Sequence, residues 1–230
     1  MYGWHAAGIP VSLFYPMYLI IFFVILLLSA VWHEYMHASV ADQLGDPTPR
    51  DLGRLTLNPL AHIDPFTTIL LPLALFIGTS GQFMFAAAKP VPFNPYNLRF
   101  SKYGPALVGI AGPVGNLALA VVLSLAIRFI ELPAEFAALL ALGVWANILL
   151  AVFNLVPIPP LDGSHVLISL LPPHLDYVAQ FLQQYGWILF FLFLFFFSGI
   201  IRPVMVFLAY FLLGPDGLSA LADALSQMRF

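Results

Sequence analysis

The sequence predicts an all-α integral membrane protein, a polytopic helical bundle with a small membrane-associated β-hairpin or re-entrant element. Three observations carry this. The 230 residues are 61% hydrophobic and only 8% charged, whereas soluble domains are about a quarter charged and about half apolar. Mean hydropathy is +0.95. Apolar stretches recur at the length of about 20 residues that a helix needs to cross the hydrocarbon core, so the lipid bilayer is the expected surroundings. Eight Lys+Arg against eleven Asp+Glu leave a net charge of −3. That is far from the basic footprint a phosphate backbone demands, so no nucleic-acid partner is expected. With no cysteine, disulfide frameworks, iron–sulfur clusters, thiolate zinc sites and cysteine nucleophiles are all excluded. The length suits one domain over residues 1–230, with a core at 13–172 and C-terminal membrane helices at 181–213.

The first apolar stretch runs from Leu13 to Leu44. Residues 1–12 carry no Lys or Arg, and no small-residue cleavage site follows Met17–Val31, so the stretch reads as a retained span. His33, Glu34 and His37 fall near its C-terminal end, and Gly45 with Pro47 stops it. Asp46–Asp64, with Arg50, Arg54 and His62, reads as a polar surface loop. Phe66–Ile77 is apolar but short and contains Pro72, which suits a re-entrant piece better than a crossing. In Val91-Pro92-Phe93-Asn94-Pro95 each residue before a proline is pushed out of the helical region, so this part is extended. A small β element is expected near residues 80–97. Three long apolar stretches follow: Gly104–Ile130, Ala134–Val156 and Trp187–Leu213, the last interrupted at Arg202-Pro203.

Five of the eight basic residues lie in 46–103, which places that region on the cytoplasmic side. The first span then runs inward, Gly104–Ile130 outward and Ala134–Val156 inward again. The first and third of these are therefore parallel, and their C-terminal ends share one depth.

His33-Glu34-Tyr35-Met36-His37 is an H-E-x-x-H pattern on a helix. Histidines four apart share a face and can bind one zinc ion, with the glutamate placed to deprotonate water. Ionisable groups inside an apolar helix are expensive unless paired, which favours a functional reading over interfacial snorkelling. A catalytic zinc takes three protein ligands and keeps a position open. Asp42 and Asp46 lie too close along the helix to close such a site. Asp162, the only acid between Glu135 and Asp176, follows the proline-rich turn Pro157-Ile158-Pro159-Pro160. It reads as a third ligand, or alternatively as the N-cap of a helix starting at Gly163.

At this point the chain resembles the site-2 protease family of intramembrane zinc metalloproteases. The resemblance rests on His33–His37 and on the run Asn154…Pro157…Pro159…Leu161-Asp162-Gly163. Gly112-Pro113…Asn116, Asn58-Pro59…His62-Ile63-Asp64-Pro65 and Ala88-Lys89-Pro90-Val91-Pro92-Phe93-Asn94-Pro95 extend it from residue 33 to 163. It implies one Zn²⁺ per chain held by His33, His37 and Asp162, with Glu34 as general base. It implies that Asn154 contacts the substrate backbone near the scissile bond; the competing reading is a helix-terminal amide bonding its own backbone. It also implies a transmembrane peptide substrate, opened locally and added as a strand along Pro90, Val91, Pro92 and Phe93. His165, three residues after Asp162, reads as a supporting group, and His62 as lining or approaching the site from its loop. The chain leaves no room for a PDZ domain between the spans or a CBS pair after Leu213, so a compact member in a bacterial plasma membrane is expected, with its site near the cytoplasmic face. The rival readings are an ion transporter and a catalytically silent scaffold; an intact Glu34 argues against the scaffold.

Overall fold

The computed structural model describes residues 14–78 and 88–226. Eight α-helices are described: α1 (Phe14–Gln43), α2 (Thr48–Asp51), α3 (Leu71–Gly78), α4 (Gly104–Phe129), α5 (Ala134–Asn154), α6 (Gly163–Leu170), α7 (Asp176–Leu192) and α8 (Ile201–Ser226). Among the described residues, five segments are long and apolar enough to cross a membrane: Tyr18–Gln43, Gly104–Phe129, Ala134–Asn154, Pro173–Phe196 and Ile201–Ser226. Phe66–Ile77 falls in a π-helical turn, Pro65–Leu70, that runs into α3. At about 1.5 Å per residue this piece is too short to cross.

Two expectations need correcting. The apolar stretch Trp187–Leu213, expected to be interrupted at Arg202-Pro203, breaks earlier. Its first part ends α7 and its second begins α8, with a π turn at Phe193–Phe197 and a 3₁₀ turn at Ser198–Ile200 between them. Pro203 then sits in the first turn of α8, where a missing N–H costs no helical hydrogen bond. The β-hairpin also fails to appear: no strand occurs among the described residues. Residues 80–87 of that expected element lie outside them, 88–94 are irregular, and Pro95–Asn97 form a 3₁₀ turn. The Val91–Asn94 stretch avoids the helix as its prolines dictate, but it pairs through side chains rather than through a ladder.

The centre of the bundle is α1, α4 and α5. Trp32 Nε1 donates to Gly115 O at 2.8 Å, Asn116 Nδ2 donates to Ser29 O, and a β-carbon on Gly143 would meet Leu123. These contacts make α4 antiparallel to both neighbours, so α1 and α5 are parallel, as the charge pattern requires. In lipid, helices associate through close packing and interhelical hydrogen bonds rather than through a hydrophobic drive. Small residues accordingly line the contacts: Ala38, Ala41, Ala120, Ala141, Ala146, Ala151 and Ala209 are fully buried. Helix α8 closes the core against α5 with Ile201, Met205, Ala209 and Leu213, spaced four apart on one face. Pro215 has no N–H for the carbonyl of Phe211, and Arg128 from α4 donates to that carbonyl instead, at 2.7 Å. On the outer face of α1, Ile20, Val24 and Leu28 form an exposed apolar stripe at the same spacing, as a lipid-facing surface requires.

Candidate metal centre

His33 and His37 stand one turn apart on α1 and are both buried. Asp162 is the N-cap residue of α6, yet its side chain makes no capping bond; it turns toward the histidines. Its Oδ2 lies 2.9 Å from His33 Nε2 and 3.2 Å from His37 Nε2, and the two Nε2 atoms are 3.0 Å apart. Three donor atoms thus form a nearly equilateral triangle. Around a tetrahedral zinc with bonds of about 2.0–2.1 Å, donors lie about 3.3 Å apart, so the triangle suits such an ion after a shift of a few tenths of an ångström.

The opposite ring nitrogens decide which atoms face the ion. His37 Nδ1 is 2.7 Å from the carbonyl of Val108, which can only accept, so Nδ1 carries the proton and the Nε2 lone pair is free. His33 Nδ1 is 2.5 Å from Asn116 Oδ1, and Asn116 is fully buried. With both Nδ1 atoms committed, the neutral rings turn two Nε2 lone pairs and a carboxylate to one point, an environment that a cation satisfies. That is the observation by which zinc fits here. Sequence reasoning quoted Asn116 only as part of a motif; its signal was a polar side chain inside an apolar span.

Glycine makes room for the pair. A β-carbon on Gly112 would come within 2.5 Å of His37 Nε2 and 2.7 Å of His33 Nε2. No other residue lets α4 pass this close to both rings. One turn away, a β-carbon on Gly109 would meet His165 Cβ and the carbonyl of Asp162, so the same face of α4 also seats α6.

Glu34, between the two histidines, is half-buried. Its Oε2 accepts from the backbone N–H of Val91 at 2.9 Å. Val91 is buried while Pro90 and Pro92 point outward, the alternation of extended chain. Phe93 meets the His165 ring edge-to-face at 5.7 Å between centroids. The segment is tied down at both ends. Lys89 N donates to the carbonyl of His62 at 2.9 Å. Asn94 N and Asn97 Nδ2 donate to Asp46, at 2.6 and 3.0 Å. Asp46 also accepts from the N–H and hydroxyl of Thr48 and is fully buried. Burial would raise its pKa, but these hydrogen bonds outweigh it and hold the carboxyl below its ordinary value.

His62 is therefore not among the metal donors. It is fully buried, with Nε2 donating to Thr56 O at 2.9 Å, and it holds the extended segment through its backbone. His165 also stays outside the donor triangle, and burial pushes its pKa down. Asn154 Nδ2 donates back to Leu150 O, one turn earlier in its own helix, at 2.9 Å. Among the described residues, His33, His37 and Asp162 are the only group of three or more His or acidic side chains with the spacing to hold a metal ion.

Comparison with known proteins places the chain among zinc metalloprotease relatives. The family model for peptidase family M50 matches residues 130–197, which include Asn154 and Asp162. The Bacillus subtilis protein named "Putative zinc metalloprotease YwhC" is 38% identical over 188 residues, covering 77% of this chain and 82% of its own length. "Putative zinc metalloprotease Rip2" of Mycobacterium tuberculosis is 36% identical over 153 residues, 65% of this chain and 55% of the relative. The protein of the same name from Mycolicibacterium smegmatis is 32% identical over 165 residues, 71% of this chain and 62% of the relative. The chain thus spans a little over half the length of the Rip2 proteins. No solved structure matches it.

Proposed function

The chain belongs to peptidase family M50, the site-2 proteases, and from that membership we propose that it is a zinc-dependent intramembrane endopeptidase acting on transmembrane segments of other membrane proteins. The observation that carries the reading is the triangle of His33 Nε2, His37 Nε2 and Asp162 Oδ2, with Glu34 one residue from the first ligand. One Zn²⁺ per chain bound there supplies a Lewis acid that polarises a peptide carbonyl and acidifies water.

The protein's own groups do the rest. Glu34 takes a proton from the attacking water and returns it to the leaving amine nitrogen. The second N–H of the Asn154 amide is available to the developing oxyanion once a substrate lies across the turn. A peptide carbonyl inside a helix is shielded by its own hydrogen bond, so the substrate must unwind before attack. Pro90, Val91, Pro92 and Phe93 offer it an extended partner, and a strand seated there lies beside Glu34, whose carboxylate accepts from the Val91 N–H. The basic residues of 46–103 favour a cytoplasmic position for the site, and a bacterial plasma membrane is the setting we infer.

Zinc content and cleavage of a model transmembrane peptide, measured on detergent-purified wild type beside Glu34→Gln, test the proposal. About one zinc per chain in both is expected, with cleavage reduced by at least the roughly 10²–10⁴-fold that general-base catalysis contributes. Cleavage by Glu34→Gln at the wild-type rate overturns this mechanism. Zinc passage across vesicles without cleavage favours transport instead.

A further inference from the structure

Behind the metal donors lies a chain of side chains that reaches from α1 through α4 to α5. Ser29, Asn116 and Asn147 are all buried in the membrane core, between 0 and 4% exposed. Their hydrogen bonds run in one direction, and two backbone carbonyls fix it. Asn147 Nδ2 donates to Gly143 O at 2.8 Å, and a carbonyl can only accept, so the amide nitrogen of Asn147 faces that way. The same nitrogen donates to Ser29 Oγ at 2.9 Å. Asn147 Oδ1 is then left to accept from Asn116 Nδ2, at 2.6 Å. Asn116 Nδ2 spends its other proton on the carbonyl of Ser29 at 3.1 Å. Only Asn116 Oδ1 can face His33, so His33 must donate from Nδ1 and keep its Nε2 lone pair.

We propose that Asn147, with Ser29, is a positioning residue for the metal: it locks the orientation of the Asn116 amide and thereby the tautomer of His33. The inference rests on the metal site of the proposed function. Two acceptors oppose the alternative orientation, the Ser29 carbonyl and Asn147 Oδ1, and the shorter of the two contacts is lost without Asn147. An Asn116 amide turned over would present its nitrogen to His33, force the ring proton onto Nε2 and remove a ligand. Asn147 forbids that turn because an acceptor, not a donor, then faces Asn147 Oδ1. Outer partners of ligating histidines are worth about 10–100-fold in metal affinity, and here the partner's own partner is placed to control that factor.

The test is metal affinity, read by chelator competition on full-length protein in detergent, with Co²⁺ as a spectroscopic probe. Asn147→Leu keeps the branched shape and removes both amide functions. Expected is a 10–100-fold weaker zinc affinity and a Co²⁺ spectrum altered from that of wild type. The decisive background is Asn116→Ala, which leaves no amide at this position for Asn147 to orient. In that background Asn147→Leu is expected to change affinity by less than about threefold. A merely structural role of Asn147 lowers affinity equally in both backgrounds, and that result overturns the proposal, as does Asn147→Leu at wild-type affinity and spectrum. Should Asn147→Leu fail to fold, Ser29→Ala is measured in the same two backgrounds, with a smaller loss expected and the same cancellation. Wild type that holds zinc without cleaving peptide refutes the proposed function while the affinities still decide this inference; wild type that takes up no zinc refutes both.

Discussion

His33 and His37 present Nε2 to a common point because their Nδ1 atoms are already committed, to Asn116 and to the Val108 carbonyl. Asp162 completes the point by declining to cap its own helix. Asp162→Ala is therefore expected to empty the site, lowering zinc affinity by more than the roughly 10–100-fold that an outer partner contributes. Elemental analysis after dialysis against a weak chelator reads this directly, and stoichiometric zinc in that variant would move the third ligand elsewhere. Gly112 matters at the same scale for the opposite reason, since its missing β-carbon is the space the two imidazoles occupy. Gly112→Ala is expected to cost about 1–3 kcal/mol through overpacking and to depress zinc content, whereas the same change at Gly53, which has open space around it but a φ of +67°, should leave zinc untouched.

Among the elements, the extended segment from Ala88 to Asn97 is the one held from outside itself. Asp46, just beyond the end of α1, bonds the segment at Asn94 and Asn97, and Val91 meets Glu34 three residues earlier. Asp46→Ala leaves the Asn94 N–H and the Thr48 and Asn97 donors without that partner, at about 1–3 kcal/mol for a buried unsatisfied group. Faster hydrogen exchange over residues 91–98 with zinc content unchanged is the expected outcome; unaltered exchange there would show that the prolines alone fix the segment. Acid should act alike. The folded pKa of Asp46 lies below its ordinary value, so its stabilisation is complete above about pH 4 and fades as pH falls through the folded value. Protection of the Asn94 amide is expected to weaken in that acid range in wild type and to show no such step in Asp46→Ala.

The whole molecule is built for a solvent without hydrogen bonds. Small residues and a chain of buried amides join α1, α4 and α5, while large apolar side chains face outward, among them Val122 on α4 at 61% exposure. Val122→Leu is expected to be silent. Val122→Asp places a charge in lipid, at about 2.5–3.5 kcal/mol on insertion scales, and should cut the membrane-integrated fraction several-fold in a fractionation assay. Equal integration of both variants would mean that this face of α4 is covered rather than exposed to lipid.

The sequence by itself determined the multi-pass membrane setting, the parallel arrangement of the first and third long spans, and the trio His33, His37 and Asp162 whose spacing suits a metal ion. Composition and span length read out the solvent, charge bias and parity read out direction, and ionisable groups too costly to leave in lipid announce themselves one by one. Only the tertiary structure decided the rest. Trp187–Leu213 breaks at 193–200 rather than at Arg202-Pro203, because continuous apolar sequence carries no period to mark the place. The expected β-hairpin gives way to a strapped irregular segment because the bonds that hold it come from Glu34, Asp46 and His62, 27 or more residues away in sequence. Asn147 shows in the sequence only as a polar side chain inside an apolar span; the role proposed for it lies in which way a neighbour's amide turns, and that direction is set by a backbone carbonyl on its own helix and by two groups of Ser29, met only once the helices pack.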